Sequence, residues 1–341
     1  MVEQSARPRV ILSRVVLVGI LCPNLWNLSA EDLPPQPERV REAIRLGLQI
    51  LARSVATYPE HRTCFSCHHQ TLPMQAMRTA REHGFKIDEA LFQAQTGLTH
   101  ATFKARAAGL RQGTGIGGNA MTVGYGLWAL DLGDSTHDDT TSAMVAYLLK
   151  TQKEDGRFWS NTERPPLEDS AFTSTTLASY YMQKFAGAGD QVEVQRSVEA
   201  AKRWLLQSQP DTQEDCNSRF WGLHLLGADA DMLDKARRLV LQGQRTDGGW
   251  GQLAGLASDA YATGQSLFVL QASGLPTDHP AYQSGIRFLL ESQRDDGSWK
   301  VQTRSKPIQI FFDSGFPHGK DQFISICATS WAVAALAAAS R

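Results

Sequence analysis

Three segments of this chain share one pattern. They are Gln152-Lys153-Glu154-Asp155-Gly156-Arg157-Phe158-Trp159, Gln244-Arg245-Thr246-Asp247-Gly248-Gly249-Trp250 and Gln293-Arg294-Asp295-Asp296-Gly297-Ser298-Trp299. Each follows an amphipathic run, Met144 to Leu149, Ala236 to Leu241 and Ile286 to Leu290, so each is expected to end a helix. The Asp-Gly pair supplies the left-handed residue that helix ends and tight turns need. The Trp brings a large surface to pack, and the Gln amide can bond backbone groups that the helix end frees. A second helix rich in small residues is expected after each turn. Asp169 to Leu177, Asp259 to Leu267 and Ser325 to Ala339 open or form these, and their acidic or Ser starts suit a helix N-terminus.

The unit is therefore outer helix, turn, inner helix, with a period near that of helical repeat families. Looser copies are Glu38–Ser54 with Thr71–His83, Asp88–Leu110 with Asn119–Leu132, and Gln191–Gln209 with Phe220–Leu226. Six helix pairs can close into a ring, which buries the apolar faces that an open solenoid leaves exposed at its ends. The expected fold is all-α, an α/α toroid of about six helix hairpins forming a single domain over residues 31–341. A chain of 341 residues with 42% apolar content is long enough for such a core.

The net charge of −1, with no run of Lys or Arg, gives no footprint for nucleic acid. Arg7, Arg9 and Arg14 precede an apolar run from Val15 to Cys22, and Leu28-Ser29-Ala30 offers a small-residue cleavage site. Residues 1–30 read as a secretory signal peptide, which places the protein in the periplasm or outside the cell, with a retained N-terminal anchor as the alternative. The run is too short to span a membrane as part of a mature chain.

Cys64-Phe65-Ser66-Cys67-His68 is the local pattern that names a cofactor. In a CxxCH arrangement Cys64 and Cys67 can carry a covalent haem c, and His68 can bind the iron from one side. A Cys64–Cys67 disulfide and a zinc site using His61, His68 or His69 are the competing readings. For the second iron face, His318 is the candidate axial or pocket residue. It lies in the long insertion Lys300 to Gln322, which a closed ring would bring beside the first unit. Met74 and Met77 are alternatives that more often serve as core packing.

The Gln-x-x-Asp-Gly-x-Trp element resembles the QW repeat of the terpenoid cyclases and protein prenyltransferases, whose domains are α/α toroids. The segments Cys64 to Pro73 and Gly315 to Ser325 resemble exported bacterial proteins that pair squalene-cyclase-type repeats with a cytochrome-c-like motif. The cyclase resemblance also implies a place for an acid. Squalene–hopene cyclases protonate an alkene with an Asp-x-Asp-Asp-Thr-Ala motif at the start of an inner helix. The matching stretch is Pro166-Leu167-Glu168-Asp169-Ser170-Ala171. Glu168 and Asp169 are thus the catalytic candidates, but Pro166 stands where the first carboxylate is needed, and capping of the helix competes as their role. The prenyltransferase resemblance implies zinc, for which Cys216, Cys327 and His224 show no ligand spacing.

The leading expectation is an exported haem-c protein with an electron-transfer or redox role, serving a redox partner protein or an apolar small molecule in the central cavity. The alternative is a terpenoid cyclase- or prenyltransferase-like enzyme, or an isoprenoid-binding protein, with a structural Cys pair and no haem.

Overall fold

The computed structural model describes residues 37–307 and 310–340. The expected signal peptide lies outside them. The described residues form helices and no strand; two isolated bridges, Arg164 with Glu168 and Gln244 with Trp250, pin turns. The outer helices are α1 (Pro37–His61), α3 (Glu89–Lys104) extended by the short α4 (Ala107–Arg111), α6 (Asp139–Thr151), α8 (Gln191–Gln207), α10 (Ala230–Gln242) and α12 (Pro280–Ser292). The inner helices are α2 (Leu72–Glu82), α5 (Asn119–Leu132), α7 (Ala171–Lys184), α9 (Gln213–Leu225), α11 (Ala260–Ala272) and α13 (Gln322–Ala338). A π-helical turn, Cys67–Thr71, leads into α2. Each inner helix packs on the next, and α13 packs on α1 and α2, so the ring closes as expected.

Composition separates the two layers. Outer helices such as α1, α8 and α10 are amphipathic and bury one stripe. Inner helices are crowded on every side. Helix α13 is buried from Ile324 to Ala338, and α11 from Ala260 to Leu270. Helix α13 is long and apolar enough to span a membrane by composition, but it is a wall of the toroid. Small residues make this crowding possible. A Cβ on Gly264 of α11 would come within 2.7 Å of the Ala332 backbone on α13.

The three sequence-matched turns make matching bonds. Gln152 Nε2 donates to Gly156 O (2.8 Å) and to Ser197 O of α8 (2.9 Å). Gln244 Nε2 donates to Gly248 O (2.8 Å) and Ala281 O of α12 (2.7 Å). Gln293 Nε2 donates to Gly297 O (3.1 Å) and Ala43 O of α1 (2.9 Å). One amide therefore holds its own turn and the next outer helix, and the third example joins the last unit to the first. The aromatic two residues after the Gly drops into the core. Trp250 Nε1 donates to Val240 O and Trp299 Nε1 to Leu289 O, both at 2.7 Å, and both rings are fully buried. In the first turn the buried residue is Phe158. Trp159, expected to pack, is 40% exposed under Lys153, because the chain counts two residues from Gly156 and so reaches Phe158 first.

The glycines of these turns are required twice. Gly297 has φ +85°, and a Cβ there would meet the Leu46 backbone at 2.7 Å. A Gly297→Ala change is expected to cost roughly 1–3 kcal/mol from the backbone alone, with the clash added. Gly255→Ala, where no atom lies within 4 Å of the new Cβ, is the control. Thermal unfolding should separate the two variants by several degrees; equal melting temperatures would contradict this role for Gly297.

Candidate functional site

The inner helices run parallel, so one end of the ring collects their N-termini and the other their C-termini. About two and a half turns into four of these helices, an aromatic side chain points to the axis. Trp128 (α5), Trp221 (α9), Phe268 (α11) and Trp331 (α13) form a closed cycle with ring centroids 5.1, 5.6, 5.0 and 6.1 Å apart in that order. The remaining void beside them is about 10 Å³, the size of one water. The axis at this level is filled.

Open space lies at the N-terminal mouth. A cavity of about 340 Å³ is bounded by His68, by the loop before α7, by the long loop before α13 and by the start of α13. Its apolar wall includes Leu167, Phe311, Phe323, Ile324 and Cys327; its polar groups include His68, Arg164, Glu168, Lys306 and Lys320. Glu168 is buried. One of its carboxylate oxygens accepts from Cys67 Sγ (3.2 Å), and the other forms an ion pair with Arg164. Among the described residues it is the one carboxylate that lines the cavity.

The sequence-derived candidates fare differently. Neither Glu168 nor Asp169 caps α7: Ser170 does, accepting from Thr173 N. Glu168 faces the mouth cavity, whereas Asp169 is exposed and lines nothing there. The expected haem groups Cys64, Cys67 and His68 lie just before and in the π-helical turn. Cys67 is buried against Glu168, and Cys64 lies against the Tyr58 hydroxyl of α1. His68 is bonded through Nδ1 to Nδ1 of His69 and is packed by Phe323, ring centroids 4.7 Å apart. All four cysteines among the described residues are free thiols. His318 lies apart from this cluster. Its Nε2 bonds Ser298 Oγ (2.7 Å) on the last Asp-Gly turn, and it is absent from the cavity wall. Among the described residues no three His, Cys, Asp or Glu side chains approach closely enough to share a metal ion.

Burial sets the protonation of the groups at this end. It pushes the Cys67 and Cys327 thiols well above their ordinary range, and the histidines down: His68 well below 6.5 and His69 to about 3. Both imidazoles are neutral at neutral pH. Sequence reasoning missed Arg164, Lys306, Lys320 and Phe323. Lys306, Lys320 and Phe323 sit in or beside the long insertion whose length was the signal. It also missed Glu214, which opens α9 as Glu168 precedes α7. Glu214 is 3% exposed, accepts from Thr173 Oγ1 (2.6 Å) and Tyr261 OH (3.0 Å), and is pushed up to about 7 by burial.

With this geometry in view, comparison with known proteins places the chain by fold. No family model matches. A squalene–hopene cyclase of Bradyrhizobium diazoefficiens is 30% identical over 124 residues, 31% of this chain. The chain spans only 17% of that cyclase's length in the match. The type II terpene cyclase MstE from Scytonema, solved as a variant with its product merosterolic acid A, is 16% identical over 89% of this chain and 98% of that chain, with a TM-score of 0.57. A glycosidase variant superposes equally well, at 11% identity over 92% of this chain and 98% of that chain, with a TM-score of 0.58. The fold is terpenoid cyclase-like. These likenesses, with no metal-holding group among the described residues, overturn the reading as a haem-c electron-transfer protein in favour of the terpenoid cyclase-like alternative.

The folded-state pKa of Glu214 lies above its ordinary 4.5, so the folded protein holds the proton more tightly than the unfolded chain. That stabilisation is fully present below about 4.5 and is lost as pH rises through about 7. Lifting a carboxyl by this much corresponds to on the order of 3 kcal/mol. Glu214→Gln keeps an acceptor for Thr173 and Tyr261 and has no proton to lose. Denaturant unfolding at pH 5 and pH 8 should therefore show the variant gaining on the wild type at the higher pH. A constant difference between the two proteins would contradict the assignment.

Proposed function

We propose that this protein binds a small apolar, isoprenoid-type molecule in the mouth cavity, on a terpenoid cyclase-like toroid whose Cys64 and Cys67 are structural thiols. The observation that carries this reading is the cavity itself: an apolar wall around one carboxylate already ion-paired to Arg164. At about 340 Å³ it falls at the lower end of the roughly 300–1,000 Å³ range of ligand pockets. MstE supports the choice of ligand class, since one of its structures holds geranylgeranyl dihydroxybenzoate as substrate.

The site favours binding over alkene protonation. Protonating an alkene needs a carboxylic acid presented with its proton, and the one lining carboxylate is engaged by a guanidinium and a thiol. Pro166 stands where the cyclase motif has its first acid. Glycoside hydrolysis fits no better, because it uses two carboxyl groups flanking the scissile bond, and Glu168 stands alone in this wall.

Geraniol is a suitable probe. Isothermal titration calorimetry should give one site per chain. Ser305 lines the cavity from the long loop, where its hydroxyl donates to Pro165 O (3.2 Å). A Ser305→Trp change puts an indole into the space and should weaken geraniol binding at least ~10-fold, equivalent to about 1.4 kcal/mol. Absence of binding to the wild type, or undiminished binding to the filled variant, would sink the proposal.

A further inference from the structure

We propose that the ligand of the mouth cavity carries an anionic head, a carboxylate or a phosphate, held between His68, Lys306 and Lys320 with its apolar part against Leu167, Phe323 and Ile324. This deepens the reading above and rests on it.

The basic groups of the cavity come from three separate stretches of chain. Arg164 precedes α7, Lys306 lies in the long loop, and Lys320 sits in a short 3₁₀ turn (Gly319–Asp321) before α13. Arg164 is neutralised by Glu168, and the nearby Lys300 approaches Asp321 at 4.0 Å. Among the described residues Lys306 and Lys320 have no ion-pair partner. The cavity thus holds one internal ion pair and two further ammonium groups at its rim.

His68 adds a donor. It is 8% exposed and lines the cavity, its Nδ1 is committed to His69, and its Nε2 has no partner among the described residues. The hydrogen positions follow from His69, whose Nε2 is buried without a partner. A stranded N–H donor is rarer in protein interiors than an under-used acceptor. His69 therefore carries its hydrogen on Nδ1 and donates it to His68 Nδ1. That leaves the His68 hydrogen on Nε2 of a ring that lines the cavity. The first turn of α13 supplies Phe323 and Ile324 to the same wall. Two ammonium groups and the His68 imidazole line this space, and among the described residues the one lining carboxylate is already paired. An alcohol or hydrocarbon would leave these groups unmatched, while an anion matches all of them.

The test compares three ligands of one skeleton: geraniol, geranate and geranyl monophosphate, each titrated calorimetrically at low and high salt. At low salt at least one anion should bind about tenfold more tightly than geraniol, with the preference shrinking as salt rises. The tighter anion identifies the head group. In the Lys306→Gln/Lys320→Gln double variant the preference for the anion over geraniol should fall to about twofold or less. Geraniol binding as tightly as both anions overturns this inference and leaves the apolar-cavity reading standing. A preference that survives the double substitution overturns the assignment to these lysines. If none of the three ligands binds, the proposed function fails with it.

Discussion

The structure depends on a hydrogen-bonded clamp in which one glutamine amide serves two elements. Both N–H bonds of Gln293 are used, one on its own turn at Gly297 and one on Ala43 of α1, about 250 residues away in sequence. Gln152 and Gln244 repeat the arrangement between successive units. A half-buried amide with both hydrogens placed ties two elements through one side chain. The glycine beside it lets two backbones meet, and the aromatic that follows fills the space beneath. Closure of a toroid is a long-range event in sequence. The clamp turns it into a set of similar local contacts between neighbouring outer helices.

The closed ring then fixes where a ligand can go. Parallel inner helices with small residues at their contacts draw close together, and four aromatic rings from α5, α9, α11 and α13 fill the axis. What stays open beyond the filled level of the axis is the N-terminal mouth. Its wall is drawn from the π-helical turn, the loop before α7, the long loop before α13 and the start of α13. The scaffold and the site are thus separate physical problems, which fits a fold shared by a terpene cyclase and a glycosidase at similar structural distance.

The fold was legible in the sequence because the clamp is local: Gln, Gly and an aromatic at fixed spacing reveal a helix end wherever they occur. Even there, the count from Gly156 places Phe158 in the core, while the eye is drawn to Trp159. The site was much less legible. What the groups of a CxxCH segment meet in the folded chain is a tertiary property. Here Cys67 turns to Glu168, 101 residues away, and His68 turns to His69. Glu168 was found through its place before an inner helix, but its pairing with Arg164 and Cys67 could not be read from spacing. The aromatic cycle on the axis went unseen for the same reason, since its members lie in four helices and meet only after closure.

The central claim is that ligand space lies at the mouth of the ring, with the axis filled and the CxxCH segment serving as part of the wall. The most direct measurement is a crystal structure of the protein soaked with a brominated apolar alcohol, with bromine located by anomalous scattering. The account predicts a peak between Leu167, Phe323 and Ile324. A peak on the axis among Trp128, Trp221 and Trp331, with those rings displaced, would contradict it.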